Sequence, residues 1–285
     1  MTMRHIAIIY KHARPEAAGL AEELRVWLES RQVRVSLQEN IDTSEFCRSY
    51  SRITIPTTVD AVVVLGGDGT FLSVARSLED LTIPLVGINL GGLGFLTEIS
   101  TTSCFEEIKE ILDGHFEIEE RVRLQVSIQR EGEEIFSQSV LNDVVISKSA
   151  LARILDLKTT IDGRYLTHYR ADGLIVSTPT GSTAYNLSAG GPIVYPTTNA
   201  IILTPICPFA LTNRPIILPP HVTIRVELTE PVEHVTLTCD GQVGCELASC
   251  DQLLISVAPN PLRLIRTSSI EYFRILRTKL KWGQF

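Results

Sequence analysis

The 285-residue sequence lacks a basic surplus. Lys and Arg number 26 against 33 Asp and Glu, a formal net charge of −7. General nucleic-acid binders usually carry excess positive charge, so this balance argues against that class. It leaves room for small anions at a local positive site. Metal-binding spacings are missing as well. The six cysteines, Cys47, Cys104, Cys207, Cys239, Cys245 and Cys250, include no C-x-x-C pair, and no His-x-His or H-E-x-x-H cluster accompanies them. Buried free thiols in a reducing compartment are a better expectation than a zinc site. The six histidines are dispersed and read as structural or exposed. Long apolar runs are absent. Ile6 to Tyr10 is interrupted by Lys11 and is too short for a signal-peptide core. Ala200 to Leu211 carries Pro205 and Pro208 and falls short of a membrane span. A soluble cytoplasmic protein is expected. Two nucleotide fingerprints are missing too. Without G-x-x-x-x-G-K-[ST] the chain is not expected to be a P-loop NTPase. Without G-x-G-x-x-G after the first strand it is not an ordinary Rossmann dehydrogenase.

What is present is an ordinary globular composition, 44% hydrophobic and 21% charged, at a length that suggests about two domains. The first part alternates strand and helix patterns. His5 to Tyr10, Arg34 to Gln38, Asp60 to Leu65 and Pro84 to Asn89 read as strands. Pro15 sits where a helix begins, with Leu20, Leu24 and Trp27 on one face. Phe71 to Leu78 and the segment holding Phe105, Ile108, Ile111 and Leu112 read as further helices. The unbroken β-branched run of Asp60 to Leu65 suits a parallel sheet covered on both faces. This alternation predicts a doubly wound, Rossmann-like α/β domain over residues 1–116.

Near residue 116 the period changes. Leu124 to Ile128, Val222 to Val226 and Val235 to Thr238 alternate with polar residues, and Asp162-Gly163 and Asp240-Gly241 mark turns. Residues 117–267 are expected to form a mostly-β domain. Residues 268–285, with Tyr272, Phe273, Leu276 and Leu280 at helical spacing, are expected to pack as a helix returning to the first domain.

Four segments carry the chemistry. Gly66-Gly67-Asp68-Gly69-Thr70 follows a buried strand and precedes a helix. Its glycines permit a sharp turn and close approach to a ligand. Thr70 is a candidate cap, and the helix N–H groups attract phosphate. The plainer reading is a tight turn with Asp68 as a surface cap. Outside these four, Gly91-Gly92-Leu93-Gly94 lacks the dinucleotide fingerprint's spacing and is either an irregular loop or a ligand contact. From Tyr169 to Pro192 a strand leads through Ser177-Thr-Pro-Thr-Gly-Ser182 into a short helix of small residues. Its hydroxyls and free N–H groups suit ribose and phosphate oxygens, and Arg170 and Asp172 flank the strand. Asn142-Asp143 precedes an apolar strand, where Asx residues are common. Cys239-Asp240-Gly241-Gln242 reads most simply as a hairpin turn.

Together, and in this order, these segments resemble the NAD kinase family. Gly87 to Leu96, Glu120 to Leu124, Thr204-Pro-Ile206, Arg214-Pro215 and Leu276 to Trp282 match further family stretches, and Asp172 to Pro192 is the most specific match. The resemblance implies an α/β domain followed by an all-β domain. It also implies ATP-dependent phosphorylation of the 2′-hydroxyl of NAD to NADP, a divalent metal (Mg²⁺) carried with ATP, and a homodimer or homotetramer. It makes Asp68 the proton acceptor, with Gly69 beside it on NAD. Asn142, Asp143, Arg153, Arg170 and Asp172 fall at NAD-contacting positions. Thr183, Ala184, Tyr185, Asn186, Leu187 and Ser188 line the dinucleotide site, which Gln242 completes. Backbone N–H groups of Gly66, Gly67, Gly69 and Thr70 are expected to hold ATP phosphates. Two departures stand out: Asp143 is one methylene shorter than the family's usual Glu, and Phe209 replaces a common His. A lipid or sugar kinase sharing the Gly-Gly-Asp-Gly turn, or a non-catalytic NAD(P)-sensing module, are the alternatives.

Overall fold

The computed structural model describes residues 3–45, 48–51, 53–78, 82–148, 154–229, 234–267 and 271–283. The elements run β1 (His5–Lys11), α1 (Pro15–Glu29), β2 (Arg34–Asn40), a small hairpin of β3 (Asp42–Glu45) and β4 (Arg48–Ser51), β5 (Ala61–Leu65), α2 (Asp68–Ser77), β6 (Leu85–Asn89), β7 (Ile99–Ser100), α3 (Cys104–Leu112) and β8 (Glu117–Arg121). A strand-rich stretch follows: β9 (Leu124–Arg130), β10 (Glu133–Val140), β11 (Asp143–Lys148), β12 (Leu155–Ile161), β13 (Arg164–Ala171) and β14 (Gly173–Ser177). A 3₁₀ turn (Thr180–Thr183) and α4 (Tyr185–Ser188) precede β15 (Ile201–Ile206), β16 (Ile216–Leu218), β17 (Ile224–Leu228), β18 (Val235–Cys239), β19 (Val243–Leu247) and β20 (Gln252–Val257). The chain closes with β21 (Leu262–Arg266) and α5 (Tyr272–Leu280).

Two compact units emerge. The first comprises residues 1–43, 51–120 and 262–285, and the second residues 44–50 and 121–261. In the first, the strands lie in the order β2-β1-β5-β6-β21-β8, with β7 also on β6. The pairs β1–β2, β1–β5, β5–β6 and β6–β21 are parallel. Alternate strand residues serve opposite faces. Ile6, Ile8, Val63, Leu65, Val86 and Ile88 join Ala21, Leu24 and Leu28 of α1 and Ile108 and Ile111 of α3 in one core. The other set, including Ala7, Ile9, Val62 and Val64, is just as buried, on the face that takes α2. The sheet is therefore wound on both faces. Pro15 opens α1 at its first turn, as its fixed φ and missing N–H favour. Trp27 of α1 meets Phe105 of α3 edge-on, with ring centroids 5.6 Å apart.

The second unit is a sandwich of two six-stranded sheets, β10-β9-β20-β17-β12-β13 and β16-β15-β14-β11-β18-β19. Every pairing is antiparallel. Leu124, Val126, Val144, Ile146, Leu174, Val176, Leu237 and Leu253 fill the space between the sheets. The Asp162-Gly163 turn between Ile161 and Arg164 has two positive φ angles, 49° and 74°, as a tight primed turn needs.

Three details differ from the sequence-based expectation. The sheet of the first unit reaches Arg121 through β8 and takes in Leu262–Arg266 as an inner strand, so the strand-rich unit spans 121–261 rather than 117–267. A change in residue period cannot reveal that β21 is hydrogen-bonded to a sheet begun near the N-terminus, at His5. The strand expected at Val222 begins at Ile224. In α5, which belongs to the first unit, the buried pair is Ile275 and Leu276, while Phe273 is exposed.

Candidate active site

Each unit carries its own cluster. In the first, the order in which strands are added reverses between β1 and β5: β2 lies on one side of β1 and β5 on the other. Ligands of open α/β sheets bind beyond the carboxyl ends of the strands at such a switch point. A cavity of about 340 Å³ lies there, lined by Lys11, Arg14, Glu16, Gly67, Asn89, Leu90, Gly91 and Gly92. Lys11 ends β1, Gly67 follows β5 and Asn89 ends β6. Two cations and a glycine-rich backbone suit an anion with several oxygens.

Asp68 is the first residue of α2, with Gly67 at its N-cap. Its carboxylate is held from one loop. Oδ1 accepts from Leu96 N (3.0 Å), Thr97 N (3.2 Å) and Thr97 Oγ1 (3.2 Å). Among the described residues Oδ2 accepts from Phe95 N alone (2.9 Å), leaving it the freer oxygen. This loop is built rather than irregular. Asn89 Oδ1 accepts from Gly91 N at 2.7 Å, and Asn89 Nδ2 donates to the carbonyls of Gly92 and Thr97. Gly94 is required by crowding, since a Cβ there would fall 2.2 Å from Asp68 Oδ1. Thr70 does not cap the helix. It is buried, and its side chain occupies the space a Cβ on Gly66 would need, 2.6 Å away. Gly67 and Gly69 are exposed, whereas Gly66 is buried.

The second cluster lies on the outer face of the β11-containing sheet. Asp143, Val145 and Ser147 alternate along β11 toward that face, with Thr238 paired beside Val145. They line a cavity of about 350 Å³ with Asn142, Ala184, Tyr185, Asp240 and Gly241. The entry to β11 is clamped from two sides. Asp240, in the β18–β19 turn at a positive φ of 51°, accepts from the N–H groups of Leu141, Asn142 and Asp143 at 3.0, 2.7 and 3.1 Å. Thr178 Oγ1 donates to Leu141 O and Thr178 N to Asn142 O. Gly181 lets the 3₁₀ turn lie against this strand, because a Cβ there would meet Asn142 O at 2.0 Å. Asp143 is buried. Burial first, and then the Asp240 charge, push its carboxyl up from 3.8 to about 7.

Not every expected residue joins this cavity. Asn142, Asp143, Ala184 and Tyr185 line it, and half-buried Thr183 precedes them on the 3₁₀ turn. Asn186 is fully buried. Its amide donates to Ser182 O and Pro192 O, and it accepts from Thr204 Oγ1 at 2.7 Å. Its side chain is thus committed to holding α4. Leu187 is half-buried and Ser188 exposed, both away from the lining. Arg170 is exposed, with its guanidinium 5.3 Å from the Phe209 ring, and Asp172 forms an ion pair with Lys148 at 3.3 Å. Gln242 closes the β18–β19 turn through its N–H to Cys239 O without lining the cavity. Arg153 lies outside the described residues. The sequence reading missed Asp240, Lys11 and Arg14. An Asp-Gly pair signals a hairpin, and nothing local shows that its carboxylate reaches residues 97 to 99 positions earlier.

Comparison with known proteins covers both units. The family model for the ATP-NAD kinase N-terminal domain matches residues 6–118, and that for the ATP-NAD kinase C-terminal domain matches residues 141–267. The NAD kinase of Syntrophobacter fumaroxidans is 62% identical over 282 residues, covering 99% of this chain and all of its own. That of Geotalea daltonii is 50% identical over 284 residues, with the same coverage. Among solved structures, yeast NADH kinase complexed with NADH superposes with a TM-score of 0.87 at 26% identity, covering all of this chain and 89% of its own. An NAD kinase from Archaeoglobus fulgidus in complex with ATP gives a TM-score of 0.76 at 26% identity, covering 97% of this chain and 98% of its own.

Proposed function

The chain belongs to the NAD kinase family and converts NAD to NADP with ATP as donor, and we propose that Asp68 takes the proton of the adenosine ribose 2′-hydroxyl as phosphate arrives. The observation that carries this role is the tethered Asp68 carboxylate, fixed by four donors with Oδ2 the less engaged oxygen. A ribose hydroxyl is a weak nucleophile, and a positioned carboxylate accepting its proton gives the attacking oxygen its electron pair. The rest of phosphoryl transfer is alignment and charge neutralisation.

On the donor side, the cavity with Lys11, Arg14, Gly67, Gly91 and Gly92 takes the phosphate chain of ATP, with the exposed backbone of Gly67 and Gly69 nearby. Gly66 shapes the turn and Thr70 packs it. On the acceptor side, the cavity lined by Asn142, Asp143, Ala184 and Tyr185 takes part of the dinucleotide. Asn186 holds α4 in shape beside it, while Thr183, Leu187, Ser188, Arg170, Asp172 and Gln242, which the family resemblance assigns to the dinucleotide, lie outside the lining. The donor cavity offers one carboxylate, Glu16, among cations and glycines. This set suits phosphate oxygens and leaves Mg²⁺ to be held chiefly by the phosphates. When bound, the ion supplies neutralisation of their charge.

The lipid-kinase and sugar-kinase alternatives give way, since both matching family models are those of ATP-NAD kinases. The test is incubation with NAD, ATP and Mg²⁺ and measurement of NADP through a coupled dehydrogenase. NADP formation is expected, and NAD binding without it is the outcome of a sensor. A homo-oligomer is also part of the proposal. Phe209, Leu211 and Ile217 are 70, 86 and 54% exposed, and Ile217 lies on β16 at a sheet edge. A monomeric mass by light scattering counts against it. Cytoplasmic residence is proposed from the free thiols Cys104, Cys207 and Cys250. No helix among the described residues is long and apolar enough to cross a membrane.

A further inference from the structure

Two carboxyl groups face the acceptor cavity in opposite circumstances. Asp240 receives three backbone N–H donors, an arrangement that suits a carboxylate. Asp143 is 4% exposed, and its carboxyl has no side-chain hydrogen-bond partner among the described residues. It lines the same cavity as Asp240. A buried carboxyl beside an anion resists ionisation for two reasons: its charge is poorly solvated and is repelled.

The surroundings offer little to reverse this. The β18–β19 turn contributes Asp240, and α4 contributes the neutral Tyr185 phenol at the cavity wall. Strand β14 places Ser177 opposite Asp143. Lys148, at the far end of β11, is ion-paired with Asp172. The 3₁₀ turn brings hydroxyls, and the Arg121 guanidinium bonds Thr180 Oγ1 there. Lys148, the cation on Asp143's own strand, therefore sits five residues away with a different partner.

We propose that Asp143 binds the dinucleotide as the neutral acid, donating an O–H hydrogen bond into the cavity, and that loss of this proton sets an upper pH limit on dinucleotide affinity. The proposal rests on the reading that this cavity accepts the dinucleotide. Ionisation removes the donor and adds a second negative charge beside Asp240, facing a ligand that carries two phosphates. Asp143 is thereby a specificity residue: it favours a ligand with an acceptor at that point and disfavours anionic groups once the pH rises.

The test is calorimetric measurement of the NAD dissociation constant from about pH 6 to about pH 9, on wild type, Asp143→Asn and Asp143→Leu. Wild-type affinity is expected to fall by up to about tenfold per pH unit above neutrality, the limit for a single proton. Asp143→Asn keeps a donor and carries no charge, so its profile is expected to be flat at the tight limit. Asp143→Leu is expected to be flat and weak. A flat wild-type profile, or an Asp143→Asn profile with the wild-type slope, overturns the proposal. A second readout needs no ligand. The infrared C=O band of the protonated acid, seen as wild type minus Asp143→Asn, is expected near pH 6 and to fade as the pH passes neutrality. Absence of that band overturns the proposal even if NAD does not bind. Failure to form NADP at any pH overturns the functional reading and leaves the infrared result to decide this one.

Discussion

Replacing Asp68 with asparagine separates chemistry from architecture. Asparagine keeps one oxygen of the carboxylate. Placed at the Oδ1 position, that oxygen retains the bonds from Leu96 N, Thr97 N and Thr97 Oγ1, but the new NH₂ then faces Phe95 N–H, donor against donor. One lost hydrogen bond with an unsatisfied donor costs about 1–3 kcal/mol, and the partial exposure of Asp68 favours the lower end. For a chain of this size that corresponds to a fall in Tm of about 2–4 °C per kcal/mol. A domain with an ordinary stability of about 5–15 kcal/mol stays folded at assay temperature. Loss of the proton acceptor is larger, about 10²–10⁴ in kcat, or about 3–5 kcal/mol of barrier. The coupled NADP assay and a thermal melt on the same preparation read both. A folded Asp68→Asn enzyme with kcat within about threefold of wild type removes Asp68 from the proton-accepting role. Gly94→Ala is the companion variant. It keeps the carboxylate but drives a methyl group to 2.2 Å from Oδ1, so turnover is expected to fall although the acid is intact.

Lys11→Ala and Arg14→Ala are each expected to raise the KM for ATP several-fold while leaving the KM for NAD within about twofold, read from initial rates with each substrate varied. Asp240→Ala strands the N–H groups of Leu141, Asn142 and Asp143 and is expected to destabilise the fold by about 3 kcal/mol, since water from the cavity can satisfy part of the loss. Denaturant titration measures it. Asp143→Asn is expected to raise Tm at about pH 8 and to have little effect at about pH 4. The sign follows from linkage: Asp143 ionises at 3.8 when unfolded but at about 7 when folded, so its penalty on folding grows as pH rises through that window and is absent below it. That gap, at about 1.36 kcal/mol per pH unit, sets a ceiling of about 4 kcal/mol.

The elements of the first unit were legible because their patterns are local. Pro15 opens a helix wherever it meets the right apolar spacing, and Asp60 to Leu65 announces a buried strand from composition alone. The same holds for the strand that leads into the Thr-Pro-Thr-Gly turn, which is Gly173–Ser177. The Gly-Gly-Asp-Gly-Thr turn was legible as a site, but the division of work within it was not. Whether Thr70 caps the helix or packs beneath Gly66 is decided by one turn of backbone geometry. The features that escaped are joined through space: the grip of residues 95–97 on Asp68, the clamp of Asp240 on residues 141–143, and the passage of Leu262–Arg266 through a sheet started near the N-terminus. The resemblance of the segment from Thr183 to Ser188 to a ligand site did not show that the Asn186 amide is occupied internally.

Strand β21 gives the chain a timetable. It lies between β6 and β8, so the sheet that carries the Gly-Gly-Asp-Gly-Thr turn is incomplete until residues 262–266 have left the ribosome. The sandwich unit, an almost unbroken run from 121 to 261, is synthesised in full before that strand emerges. At about 5–20 residues per second, the earlier strands wait roughly 7–30 s for their missing neighbour. During that interval β8 lacks its strand neighbour, and β6 keeps only the short β7 beside it on the side away from β5. A nascent chain stalled within the sandwich therefore exposes the half-built sheet of the first unit as a sticky surface, and the arrival of residues 262–266 both completes that sheet and covers it.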